Sequence, residues 1–278
     1  MSRHELFRRM RKSKFFVLGA ILVSIIIILS LLANVISPYS PIRSSLSDRL
    51  RPPGEKFMFG TDALGRDILS RLLVGSQVSL QISFTVVIIT AIVGTVLGIV
   101  AGFFGGIVDT LIMRFSDIQV SIPPMVLAIA VMAVLGNSIG NLIAVLVFTR
   151  WVQYARIVRG NVMMIRNMDY IHASTVLGSS KVRIMFTQIL PNVLTSLIIV
   201  MSQEFGRTIM TESSLSFLGL GVPAPAPSWG VMIAEGREYL STASWVVIIP
   251  AVSLMVAVLA FNFLGDGVRD VLDPKNKN

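Results

Sequence analysis

The chain has 278 residues, 54% hydrophobic and only 14% charged, with a net charge of +9 and no cysteine. Soluble domains carry about 25% charged residues, so this composition excludes an ordinary soluble globular protein, and the absent cysteines exclude a disulfide framework or a thiolate metal site. The two histidines, His4 and His172, are too few and too far apart for a histidine metal cluster, and the dispersed positive charge reads as lysine and arginine held in cytosolic segments, with anionic lipid headgroups or an acidic partner surface as the alternative and no nucleic-acid partner expected.

Residues 1–14 carry six basic side chains (Arg3, Arg8, Arg9, Arg11, Lys12, Lys14) against one acid, Glu5, and residues 15–36 then run without a charge. A helix needs about 20 mostly apolar residues to cross roughly 30 Å of hydrocarbon. A signal peptide has a shorter apolar core, about 7–15 residues. Residues 15–36 are therefore expected to form a retained first span behind a cytosolic tail. Residues 37–75 are polar and proline-rich, an extracytoplasmic loop. Within it, 61–67 predict a turn into an amphipathic helix lying on the outer membrane surface. Ile68, Leu69, Leu72 and Leu73 share its apolar face, and Asp67 pairs with Arg71 one turn on.

Five further spans are expected at 79–104, 112–135, 141–158, 192–217 and 245–264, a core within 76–265, followed by a cytosolic tail at 266–278. Gly94, Gly98 and Gly102 recur every four residues, a stripe where another helix can approach closely. Gly105-Gly106 predicts a tight turn, and Pro123-Pro124 a kink or break in the third span. Arg114 and Asp117 read as a pair anchoring that span's inner end. The fourth span has the shortest apolar core, and Arg150, Trp151, Tyr154, Arg156 and Arg159 read as its cytosolic border. A Gly/Pro-rich loop, 218–244, lies outside, and six spans put both termini in the cytosol.

The cytosolic loop 159–191 holds the most informative segment. From 169 to 191 it predicts two short helices joined at Gly178, with Asn167 as the N-cap and Asp169 in the first turn, where the helix dipole favours an acid. Tyr170, Ala173, Ser174 and Leu177 share one face. Ser179 or Ser180 caps the second helix, whose Val182, Met185, Phe186 and Ile189 share another, and Pro191 suits the first turn of the next span. Such an ordered hairpin is either an amphipathic loop resting on the inner leaflet or a docking surface for a soluble partner.

The segment resembles the cytoplasmic EAA loop of ABC-importer permeases, which fits a cleft on the ATPase. Ala173, Gly178, Leu190 and Pro191 match at the motif's spacing, while His172 stands at its Glu position and Ser174 at its second Ala. Residues 59–71 (FGTDALGRDILSR), 212–221 (ESSLSFLGLG), 227–230 (PSWG) and 262–266 (NFLGD) are similar to the "C"-type permeases of the dipeptide, oligopeptide and nickel systems. The resemblance implies an all-α, polytopic membrane protein with six transmembrane helices in the type I ABC-importer fold, in a bacterial or archaeal cell membrane. It implies a homologous second permease, two ABC ATPase subunits, an extracytoplasmic substrate-binding protein contacting loops 59–75 and 219–244, and membrane lipid as partners. ATP and Mg belong to the ATPases; this chain has no Gly-Lys dipeptide, hence no Walker A loop, and is expected to bind no cofactor and catalyse nothing itself. Peptide is the expected cargo, with nickel or a metal chelate as the alternative.

Glu204 and Arg207 lie mid-span, where each charge costs about 2.5–3.5 kcal/mol on insertion scales and normally faces a bundle interior or water. With Thr208 and Thr211 they form one polar stripe, read either as lining the translocation path or as a self-neutralising pair. An ion-coupled secondary transporter would call for inverted repeats, and a non-transporting scaffold would leave the stripe unexplained.

Overall fold

The computed structural model describes residues 3–272, with side chains from Arg8 onward; Met1, Ser2 and the end of the expected tail beyond Leu272 lie outside the described residues. Among the described residues the architecture is helices and loops, with one isolated bridge between Thr61 and Asp67. α1 (Arg3–Lys12) and α2 (Lys14–Leu31) meet at Ser13, whose hydroxyl accepts from the Phe16 N–H at 3.3 Å. α3 (Ala33–Ile36) ends the first apolar run.

The expected outer surface helix does not exist as a separate element. α4 runs unbroken from Ile68 to Phe104, 37 residues, about 55 Å at 1.5 Å per residue. Asp67 starts it as an N-cap: its Oδ2 accepts from the Ser70 N–H at 2.8 Å and the Ser70 hydroxyl at 2.6 Å. No proline interrupts the run before Gly105. Ile68 is buried against Met232, Ala243 and Val246, so the predicted apolar face packs on protein rather than on lipid. Asp67→Ala is expected to lower stability by about 1 kcal/mol, the usual loss for a cap. The unfolding midpoint of the detergent-solubilised protein checks this, and an unshifted midpoint refutes the cap's role.

Gly105 and Gly106, both with positive φ, turn the chain into α5 (Gly106–Val120). Pro123 and Pro124 then break it as expected: α5 and α6 (Pro124–Leu135) are bent by 88°. α7 (Ile139–Arg166) starts on Ser138, which accepts from the Asn141 N–H at 3.0 Å, and runs two turns past the predicted fourth span. It lies against the glycine stripe of α4. A Cβ on Gly98 would stand 2.6 Å from the Ala155 carbonyl oxygen, and Gly94 and Gly102 face Tyr154 and Val162 as closely. Trp151 and Tyr154 are accordingly buried between α4 and α7. They are packing residues rather than a cytosolic border, because only glycine leaves room for them.

After α8 (Asp169–Val176) and α9 (Lys181–Ile184), a π-helical turn (Met185–Ile189) leads into α10 (Leu190–Phe217). α11 (Trp229–Gly236) sits in the Gly/Pro-rich loop, and α12 (Trp245–Leu272) extends two turns beyond the predicted sixth span. α2 lies along α12, with Phe15 and Phe263 rings 5.7 Å apart. Four helical runs are long and apolar enough to cross a membrane: 14–31, 68–104, 181–217 and 245–272; the bent α5–α6 pair makes a fifth. The expected fourth span falls in α7, which is too polar through Arg150, Gln153, Arg156 and Arg159 to qualify by composition.

Candidate functional site

The hairpin is held from inside. Ile171, Ile184 and Ile189 are buried in one cluster with Ile99 of α4, Val158, Val162 and Ile165 of α7, and Val193 of α10. α8 closes with a Schellman arrangement: the Ser179 N–H reaches the Ser174 carbonyl and the Gly178 N–H the Thr175 carbonyl, both at 3.0 Å. That motif requires the left-handed backbone Gly178 adopts at φ 79°. Ser174 then joins the two arms, donating to the Tyr170 carbonyl at 2.9 Å and accepting from Gln188 at 2.8 Å. The serine that departs from the EAA pattern is thus a brace an alanine could not supply.

Two details differ from the sequence reading. Asn167 is not the N-cap; it closes α7, and Met168 precedes α8 without a side-chain cap. The proposed face of Val182, Met185, Phe186 and Ile189 splits, with Ile189 buried, Met185 half-buried, and Val182 and Phe186 exposed. A proline N–H is missing at 191, so the ladder ahead of it opens into the wider π turn and the 3.6-residue register is lost. Ser180, one of the two anticipated caps, does accept from the Arg183 N–H at 3.3 Å. Outward, the hairpin presents Tyr170, His172, Ala173, Val176 and Leu177 around the Gly178 bend, with Pro191 exposed and Leu190 half-buried at its base. Val176 is 87% and Leu177 85% exposed.

Midway along α10, the stripe gains a partner the sequence reading had placed at the cytosolic border. Arg150 of α7 donates from Nη1 to Glu204 Oε2 at 2.6 Å, and from Nη2 to the Arg207 carbonyl at 3.2 Å and to the Thr211 hydroxyl. Arg207 Nη1 reaches the other Glu204 oxygen at 3.1 Å. The four residues do not share one environment: Glu204 and Thr208 are buried, Thr211 is half-buried, and the Arg207 side chain is 63% exposed. Glu204 and Arg207 do pair, but Arg150 shares the same carboxylate. Two guanidinium groups flank one carboxylate. An arginine inside an apolar run, between Phe148 and Trp151, was the available signal, since charge at that depth needs a partner.

The other α7 arginines also bind inward. Arg156 pairs with Asp117 at 2.8 Å, so Asp117 does not pair with Arg114 as predicted; Arg159 clamps Asp109; Arg166 caps α4 through the Phe103 carbonyl at 2.9 Å. At the N-terminal end of α4, Arg71 bonds Glu235 at 2.8 Å and approaches Asp62 at 3.1 Å, rather than pairing with Asp67, whose carboxylate serves the helix N-terminus. Arg66 bridges the same two acids, Asp62 and Glu235, at 2.7 Å each. Burial pushes the Glu235 carboxyl above the usual carboxylate range, against the pull of Arg66. A second buried acid of α10 went unnoticed in the sequence. Glu212 is wholly buried, accepting from Ser216 at 2.9 Å and from Ser79 and Ser213 at 3.2 Å.

Residues 94–278 match the family model described as the binding-protein-dependent transport system inner membrane component. The chain belongs to this family. It is an ABC-importer permease, a multi-pass membrane protein, and the ion-coupled and scaffold alternatives fall away. Residues 3–53 of the permease match the N-terminal transmembrane domain of oligopeptide transport permease C. It is 38% identical over 274 residues to the dipeptide transport system permease protein DppC of Alkalihalophilus pseudofirmus, covering 99% of this chain and 90% of that protein. It is 40% identical over 275 residues to the glutathione transport system permease protein GsiD of Escherichia coli O6:K15:H31, covering 99% and 91%. The fold is shared with the MetNI methionine ABC transporter in an inward-facing conformation, at TM-score 0.57 and 20% identity over 72% of this permease and 95% of that chain. It is shared too with an amino acid ABC transporter, at TM-score 0.53 and 16% identity over 70% and 91%. Permeases of this family work with ATPase and substrate-binding subunits.

Proposed function

We propose that the chain is one permease half of an ATP-driven importer of di- or oligopeptides, with six spans and both termini in the cytosol. The near full-length identity to a dipeptide and a glutathione permease carries the peptide assignment. A homologous second permease completes the path, two ATPases bind below, and an extracytoplasmic binding protein delivers cargo to loops 59–75 and 219–244. α7 is the fourth of the six: its arginines bind acids or carbonyls on α4, α5 and α10, which supports a membrane crossing that composition alone disfavours.

Residues 169–191 take the ATPase. Closure of the nucleotide-bound ATPase dimer pushes the hairpin, and α7 and α10, which flank its two arms, carry the push into the bundle. The exposed Val176 and Leu177 beside a glycine bend support this reading. A leucine fully buried in a partner contributes about 1.5–3 kcal/mol, or about ten- to hundredfold in affinity. Leu177→Asp is therefore expected to cut ATPase recovery with the affinity-purified permease at least tenfold, with yield unchanged because Leu177 is 85% exposed. Full recovery of ATPase by that variant would refute the docking role. Uptake of a radiolabelled dipeptide by the reconstituted complex with its cognate binding protein tests the cargo, and absence of uptake would refute it.

A further inference from the structure

The mid-membrane cluster has a charge it does not cancel. Arg150 and Arg207 carry two positive charges against the single negative charge of Glu204. Both Glu204 oxygens are already taken, Oε2 by Arg150 and Oε1 by Arg207. Arg150 is committed on both terminal nitrogens, to Glu204, the Arg207 carbonyl and Thr211. Arg207 is different. Among the described residues only its Nη1 has a partner, and the rest of its planar donor fork stands open.

Its position makes that exposure informative. Arg207 lies ten residues before the outer end of α10 at Phe217, about 15 Å by helical rise, deep in the hydrocarbon layer. A guanidinium there does not face lipid. Gln203, Thr211 and Ser214 stand one turn before, one turn after and two turns after it, and all are half-exposed, so polar side chains recur along this face beside the exposed Met210. No acidic side chain of α10 lies on this open stripe, since Glu204 and Glu212 are both buried. On α10 an incoming cation meets net positive charge and no available carboxylate. An incoming carboxylate meets a guanidinium already aimed by Glu204, with donors in the fork geometry that binds carboxylates in pairs.

We propose that Arg207 is the station on this half of the path for the cargo's free carboxylate, with Glu204 and Arg150 as positioning residues, and that the cluster turns away bare divalent cations. The inference rests on the peptide-import reading above and narrows it, assigning this chain the carboxylate end and leaving the ammonium end to be met elsewhere.

The test uses the complete transporter in proteoliposomes, with a dipeptide and its C-terminal amide as probes. Uptake rates are compared at equal occupancy of the binding protein, measured separately, so that selection at the binding protein cancels. The wild type is expected to carry the acid faster than the amide. Arg207→Met is expected to lower the acid-to-amide ratio about tenfold, the scale of one charge-assisted hydrogen bond. Arg207→Lys, which keeps the charge and loses the fork, falls between and serves as the informative variant should Arg207→Met fail to assemble. A merely structural Arg207 would slow acid and amide alike. An unchanged ratio in either assembled variant overturns the carboxylate station while leaving peptide import standing. Wild-type uptake of neither probe overturns the peptide reading and this inference with it, and wild-type uptake of free nickel ion at the peptide's rate overturns the charge argument.

Discussion

Replacing Gly98 by leucine is expected to part α4 from α7 and to cost the permease its stable fold. A bare Cβ at this position would lie 2.6 Å from the Ala155 carbonyl oxygen and 2.8 Å from Val158 Cβ. Ordinary contact begins near 3.4 Å, so alanine alone requires a separation of about 0.8 Å, and the obstacle is backbone rather than a flexible side-chain end. Leucine adds three more carbons to a seam with no room. Overpacking a dense interface costs about 1–3 kcal/mol and sometimes more, and here the strain falls on the interface that buries Tyr154, Ala155 and Val158. Gly98→Ala is expected to lower the unfolding midpoint, and Gly98→Leu to remove most of the folded protein from a size-exclusion profile. Gly160, on α7 with open space around it, is the matched control: Gly160→Ala should be neutral or stabilising, since a helical glycine costs about 1 kcal/mol against alanine. A Gly98→Leu protein that melts with the wild type would refute the close approach.

That interface was half legible in the sequence. The four-residue glycine spacing announced a close helix contact, and α7 supplies it, but spacing on one helix says nothing of which helix answers. Turns read well where one residue decides the backbone, as at Gly105, Gly178 and Pro123. The readings that failed depended on distant groups. Arg150 and Glu204 are 54 positions apart, and a pairing rule confined to neighbours on one helix could offer Glu204 only Arg207. Asp117 was assigned to Arg114 and Arg71 to Asp67 for the same reason. In each case a carboxylate or guanidinium on another helix, or a helix N-terminus, proved the stronger partner. Residues 68–75 misled in a second way, since an apolar face that packs on α11 and on the residues leading into α12 looks like one meant for lipid. The hairpin faces shifted because the π turn before Pro191 breaks the periodicity from which they were read.

Removing the Glu204 carboxylate charge is expected to have the other large effect. Glu204→Gln leaves Arg150, whose side chain is only 18% exposed, and Arg207 with no acid between them. Breaking a buried pair on one side costs about 3–5 kcal/mol, because the surviving charge loses its compensation without regaining water. The loss should exceed that of Arg207→Met, since Arg207 is largely exposed and its pair with Glu204 sits on one helix. Arg150→Met with Glu204→Gln removes both buried charges, and the double variant is expected to be more stable than Glu204→Gln alone. Thermal midpoints of the wild type, of Arg150→Met and Glu204→Gln singly, and of the double variant, all in one detergent, give the coupling. Independent sites add to within about 0.3–0.5 kcal/mol, so additivity at that level would mean that Arg150 and Glu204 do not support each other. A large coupling has a mechanical consequence. α7 ends and α10 begins at the two feet of the hairpin, and Arg150–Glu204 fastens those helices again mid-membrane. Fastened at both places they move as one body. If the ATPase docks at residues 169–191 as proposed, a push there would reach Arg207 without being absorbed as a splay between α7 and α10.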